Sequence, residues 1–87
     1  MKSKNWYFYV LLCSDGSYYG GVTTDVNRRL NEHNASSRGA KYTRTRRPVR
    51  LVYWAKHESR SMAQKAECSF KKLQRKEKEE LLWGQKL

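Results

Sequence analysis

Tyr9 and Tyr19 stand ten residues apart on either side of a glycine-containing turn. Arg29 and His33 follow four residues apart, and Glu67 is a lone acid in a basic stretch. These are the side chains that one-metal phosphodiester hydrolysis requires. A phenol can handle the proton of an attacking water, a guanidinium can hold a phosphate with its planar fork, and an imidazole can relay a proton. One carboxylate, completed by waters and phosphate oxygens, suits a hydrated Mg2+ or Mn2+. A phenol titrates near ~10 in water, so it acts as a base only where nearby cations favour the phenolate. Singly, each residue has an ordinary alternative: core aromatics for the tyrosines, a solvated helix charge for Arg29, a helix-surface imidazole for His33, and an i,i+4 ion pair with Lys71 for Glu67.

The elements must bring these groups together. Residues 6–13 are aromatic and apolar on both faces, which predicts a central strand, and residues 17–23 return as a second strand. The loop decides the register. A two-residue Asp15-Gly16 loop would send the two tyrosines to opposite faces. A three-residue Ser14-Asp15-Gly16 loop pairs Cys13 with Ser17, Leu11 with Tyr19, and Tyr9 with Gly21, which puts both phenols on one face. We expect the three-residue loop, with Gly21 leaving a hole between the tyrosines. Thr24 or Asp25 caps a helix over about residues 25–36 whose apolar stripe is Val26 and Leu30. Arg29 and His33 flank that stripe, Arg28 points nearly opposite, and Glu32 is expected to point away from Arg29.

Residues 37–47 form a basic loop or short helix ended by Pro48, and residues 49–56 read as a third strand. Ser61 with Gln64 makes a capping box for a helix over 61–74, with Met62, Ala66, Phe70 and Leu73 on its buried stripe. A last short helix covers about 77–84 and carries Leu81, Leu82 and Trp83. The order ββααβαα predicts an α+β fold, a three-stranded antiparallel sheet flanked by helices. Among the acids, Asp15 serves the turn, Asp25 the helix start, Glu58 a connection, and Glu77, Glu79 and Glu80 the tail helix. Glu67 is left beside the apolar stripe.

Nineteen basic residues against eight acidic ones give 87 residues a net charge of +11, and polyanions are the natural partners of such a chain. The length is that of a single domain. Arg38, Lys41, Arg44, Arg46 and Arg47, with Tyr42 and then Arg50, form the candidate backbone clamp, which positions nucleic acid without reading bases. No apolar run approaches a membrane span. Cys13 and Cys68 have neither metal-ligand nor disulfide spacing and read as buried free thiols; His57 reads as a strand-end surface residue. Residues 1–5 are short and basic and do not read as a signal peptide, so a cytoplasmic location is expected. Charge alone would equally suit a non-catalytic nucleic-acid-binding module or a small RNA-associated structural protein.

The chain resembles the GIY-YIG endonucleases over nearly its whole length. Tyr7-Phe8-Tyr9 stands where the first triplet belongs and Tyr19-Gly20-Gly21 where the second does, with Tyr7 in place of a glycine and Gly20 in place of a branched apolar residue. Arg29-x-x-x-His33 and then Glu67 continue the signature. It looks most like small single-domain bacterial members, themselves similar to the nuclease domain of eukaryotic structure-selective endonucleases, and Gly39-Ala40-Lys41-Tyr42-Thr43-Arg44 is similar to a stretch of that subgroup. The resemblance implies an endonuclease dependent on Mg2+ or Mn2+ held by Glu67 that cuts DNA, including branched or flapped forms, in repair or recombination. It implies Tyr9, Tyr19, Arg29, His33 and Glu67 as catalytic residues, one tyrosine deprotonating water and the other positioning the phosphate or water. Gly21 and the basic loop would lie against the nucleic acid, and a protein partner would supply targeting.

Overall fold

The computed structural model describes residues 5–83. The leader reading over residues 1–4 and the last residue of the expected tail helix, 84, lie outside the described residues. The elements are β1 (Trp6–Leu12), β2 (Tyr18–Thr23), α1 (Val26–Ala35), α2 (Lys41–Arg44), β3 (Arg50–His57), α3 (Arg60–Lys72) and α4 (Arg75–Trp83), in the predicted order. The sheet is antiparallel, ordered β2-β1-β3, so the most apolar strand is central.

The hairpin closes through three residues. The Cys13 amide donates to the Ser17 carbonyl at 2.8 Å, and the Gly16 amide to the Cys13 carbonyl at 2.9 Å. Gly16 has φ +86°, a conformation in which a Cβ would be strained. Asp15 accepts from the Ser17 amide and hydroxyl, locking the turn. Tyr9 consequently faces Gly21, and Leu11 faces Tyr19.

Alternation along β1 builds two cores. Tyr9, Leu11 and Cys13 join Val49, Tyr19, Leu30 and Leu51 on the face covered by α1. Phe8 and Val10 join Phe70, Ala66, Leu73, Tyr53 and Leu82 on the face covered by α3 and α4.

Several local expectations shift. Ser59, not Ser61, caps α3: its hydroxyl accepts from the Met62 amide, and the helix begins at Arg60. The buried stripe of α3 starts at Ala63, fully buried, whereas Met62 is 50% exposed. A methyl side chain lets the helix approach the sheet where methionine would hold it off. Cys68, about 140° around the helix from Ala63 at 100° per residue, is exposed rather than buried; Cys13 is buried. The last helix begins at Arg75, where Glu77 Oε1 accepts from the Gln74 amide at 2.9 Å. No described helix is long and apolar enough to cross a membrane.

Candidate active site

The site is built where α1 lies over the hairpin. Asp25 caps α1 by accepting from the Arg28 amide at 3.0 Å, which sets the phase of the helix. Two turns on, His33 points inward and is completely buried. The Tyr9 hydroxyl lies 2.8 Å from His33 Nε2, and Thr43 Oγ1 lies 2.9 Å from His33 Nδ1. The Thr43 hydroxyl must donate to the Ala40 carbonyl 2.9 Å away, since a carbonyl only accepts. Thr43 Oγ1 therefore accepts from Nδ1–H, and the Nε2 lone pair is left to accept from the Tyr9 hydroxyl. The Ala40 amide, 3.4 Å from Nδ1, is too distant to compete with that arrangement.

Burial, reinforced by Arg29 and Arg47, lowers the His33 pKa to about 4, so the imidazole is neutral at pH 7. Burial also raises the Tyr9 pKa to about 12; Arg29 opposes this, while Tyr19 and Glu67 add to it. Proton transfer from Tyr9 to His33 is thus strongly uphill in the free protein, and a cation or a developing charge at the hydroxyl must supply the drive. Gly21 accommodates the ring. A Cβ there would stand 2.5 Å from the Tyr9 hydroxyl oxygen and 2.8 Å from its ring carbon. The hole expected between the tyrosines is filled by Tyr9 itself.

Arg29 is oriented toward the same hydroxyl, with its side chain 25% exposed against 59% for Arg28. Burial works against its charge, but contacts with Glu32 and Tyr9 outweigh that and hold the guanidinium cationic. Glu32 does not point away as expected: its carboxylate meets Arg29 Nη1 at 2.9 Å, and the same nitrogen donates to the Arg38 carbonyl at 2.8 Å. Residues three apart on a helix are only about 60° apart in projection and are neighbours. Tyr19 completes the aromatic cage, edge-on to the His33 ring at 5.3 Å between centroids and stacked on Tyr42 at 5.7 Å.

Glu67 arrives from the other layer. Its helix, α3, packs on the opposite face of the sheet, so the five side chains do not all lie on one side. At β2, Gly20 packs against the Phe8 and Phe70 rings on the α3 face, and Gly21 against the Tyr9 ring on the α1 face. The Glu67 carboxylate is 21% exposed, pairs with Lys71 Nζ at 2.9 Å, and is close enough to Tyr9 to raise its pKa. Lys71, whose own pKa Glu67 raises, also feels Tyr19. Glu67 is a single carboxylate here and is already paired with Lys71. Among the described residues no group of three or more His, Cys, Asp or Glu could enclose an ion, and Mg2+ keeps several waters and needs few protein carboxylates.

Residues 5–80 match the family model described as the GIY-YIG catalytic domain. This chain belongs to the GIY-YIG family. It is 62% identical over 83 residues to a UPF0213 protein of Enterococcus faecalis, covering 93% of each chain. It is 59% identical over 81 residues to one of Listeria innocua, covering 93% of this chain and 89% of that one. Two solution NMR structures are similar. A protein from E. faecalis has 58% identity and a TM-score of 0.64, covering 94% of this chain and 86% of that one. A UPF0213 protein from Bacillus halodurans has 49% identity and a TM-score of 0.59, covering 91% and 83%. Membership implies endonuclease chemistry on a nucleic acid; the relatives' names specify no reaction.

Within this GIY-YIG domain the basic segment is less uniform than its charge pattern implies. Arg47 donates to the carbonyls of His33 and Ser36, both at 2.6 Å, and so caps the C-terminus of α1. Arg46 pairs with Asp15 at 2.9 Å, donates to the Tyr42 carbonyl, and covers the Tyr42 ring at 3.9 Å. Tyr42 itself is held by its stack on Tyr19 and by donation to Ser17 Oγ at 2.8 Å. These three residues are engaged in positioning. Arg44 donates to the Ser37 carbonyl at 3.2 Å, and Arg38, Lys41, Arg44 and Arg50 are exposed.

Sequence reasoning missed Thr43 and Asn34. Thr43 is fully buried and fixes the His33 tautomer. Asn34 donates to the Val49 carbonyl at 3.0 Å and accepts from its amide at 2.7 Å, fastening α1 to the start of β3. The shared Gly39–Arg44 stretch was the available signal for Thr43. Gly39 is required there because a Cβ would stand 2.6 Å from the Glu32 carbonyl oxygen.

Proposed function

We propose that this chain is a divalent-metal-dependent endonuclease that hydrolyses DNA phosphodiester bonds, with a preference for branched or flapped DNA of the kind met in repair and recombination. The supporting observation is the buried Tyr9–His33–Thr43 chain, with Arg29 and Glu67 both within electrostatic reach of the Tyr9 hydroxyl. In this reading the Arg29 fork holds the scissile phosphate and stabilises charge on it as the bond breaks. Tyr9 orients the attacking water and takes its proton while its own hydroxyl proton passes to His33 Nε2. Tyr19 packs the other side and places the phosphate. Glu67 would hold Mg2+ or Mn2+, which when bound supplies a Lewis acid and stabilises the leaving oxygen. Lys71 must yield the carboxylate for that to happen. The exposed cations Arg38, Lys41 and Arg44 track the backbone, so affinity falls with salt. The domain is a single unit, and a protein partner would supply target selection.

The test incubates the chain with supercoiled plasmid and with flap and branched DNA, with and without Mg2+, beside Glu67→Ala and Tyr9→Phe. Glu67→Ala should keep or improve DNA binding, because a carboxylate near phosphate is removed, while cutting disappears. Equal nicking by wild type and Glu67→Ala would place the activity elsewhere and sink the proposal.

A further inference from the structure

A cleft of about 320 Å3 opens on the α1 face, on the far side of β1 from the β2 edge, between Tyr7 and Trp54 on the sheet and Thr24, Val26 and Asn27 at the start of α1. Trp54 is 57% exposed although it is the β3 residue directly opposite buried Tyr9 of β1 in the strand register. In an antiparallel pair that places the two backbones about 4.5–5.5 Å apart. Tyr7 and the indole meet edge-to-face at 5.9 Å between centroids, which fixes the indole plane while more than half of Trp54 stays exposed. Leaving so much indole in water forgoes burial that a strand residue facing a helix would normally gain.

The charges around the cleft are divided. Asp25 lines its wall and is committed to capping α1, so the floor disfavours a phosphate. Cations flank it: Lys56 is exposed two residues along β3 on the same face as Trp54, and Arg28 lines the adjoining hollow with Tyr7 and Asp25. An uncharged flat ring in the cleft with phosphates at its rim satisfies both. Asn27 and Thr24 offer hydrogen-bonding groups to the edge of such a ring.

The geometry points to Trp54, braced by Tyr7, as a stacking platform for one unpaired nucleobase of the substrate, one strand away from the phenol that faces the scissile phosphate. A base inside a duplex has both faces covered by its neighbours, so only a single-stranded or splayed nucleotide can lie on the indole. The platform rests on the nuclease reading above and adds to it a physical reason for preferring DNA with a single-stranded arm.

Binding measured in EDTA separates this inference from the cutting chemistry. Fluorescence anisotropy is recorded with a labelled single-stranded oligonucleotide and with the fully paired duplex of the same sequence, at one salt concentration. Trp54→Thr, which keeps a β-branched residue in the strand, should weaken single-strand binding about tenfold and duplex binding by less than about twofold; Trp54→Tyr should retain most of the affinity. A second readout uses a Trp6→Phe/Trp83→Phe background, in which Trp54 is the sole indole of the three in the chain. Its emission should be quenched by the single strand and not by the duplex. Equal losses on both probes, no loss on either, or no quenching would overturn the platform while leaving the Glu67→Ala test of cutting untouched. Failure of the wild type to bind either probe would overturn both.

Discussion

The two faces of β1 are built on opposite principles. Toward α3 the strand presents Val10 and Phe8, whose ring meets those of Phe70 and Tyr53 at a tilt, 5.6–5.9 Å between centroids. Toward α1 it presents Tyr9, whose hydroxyl begins a chain of buried polar groups that ends at the Ala40 carbonyl. Every member of that chain has a partner, which is the condition for burying it at tolerable cost. One face therefore supplies area-proportional stability, and the other spends burial on fixing a proton's position. A sheet of three strands can do both because alternate residues of one strand never compete for the same side.

Substitutions on the two faces should separate these roles. Phe70→Ala removes the centre of the apolar layer and should cost about 3–5 kcal/mol in chemical denaturation, while Tyr9→Phe, which strands a buried acceptor, should cost about 1–3 kcal/mol. A larger loss for Tyr9→Phe would mean that the polar chain, not the apolar layer, dominates folding.

Acid should attack the α1 face selectively. The folded pKa of His33, about 4, lies below its ordinary value near 6.5, so between those values the unfolded chain binds more protons. Stability then rises with pH across that window, is fully present above about 6.5, and is lost as pH falls toward 4, by up to about 3 kcal/mol. Urea titrations at successive pH values should show this slope in the wild type and a flattened one in His33→Gln. Tyr9 acts at the other end: its folded pKa of about 12 exceeds the ordinary 10, so stability declines between those values.

The adjacent glycines of β2 sharpen the contrast further. Gly21→Ala must displace the Tyr9 hydroxyl and should lower cutting about 100-fold, the scale of a misplaced reacting group. At Gly20 a Cβ would stand 3.2 Å from a Phe8 ring carbon, and Gly20→Ala should show as a modest loss of melting temperature with cutting largely retained. The smallest effect should be Lys71→Ala. Its ion pair with Glu67 is a half-exposed i,i+4 contact, worth a few tenths of a kcal/mol in thermal melts. A large stability loss there would show that the β2 edge is electrostatically strained without the ammonium.

The hairpin register was legible because one turn decides it, and Ser14-Asp15-Gly16 carries that turn's chemistry. The order of elements and the inward aim of Arg29 were legible for similar reasons, each being set by a local period. What escaped notice depends on distant partners. Thr43 is one hydroxyl in a basic loop until His33 arrives beneath it. Arg46 and Arg47 look like their neighbours until Asp15 and the end of α1 claim them. Met62 outranks Ala63 in hydrophobicity, yet close approach of α3 selects the smaller side chain. Ser59 and Ser61 both satisfy a capping pattern, and only the path of the chain out of β3 decides between them.

Asn34 carries one more consequence. By closing both backbone groups of Val49 with its side-chain amide, it lets a residue just outside β3 exchange its proton as slowly as the sheet does. The helix bearing Arg29 and His33 then cannot lift away unless the strand frays with it. The candidate site and the domain should open as one cooperative event, with no partly assembled state in which the phenol is left behind.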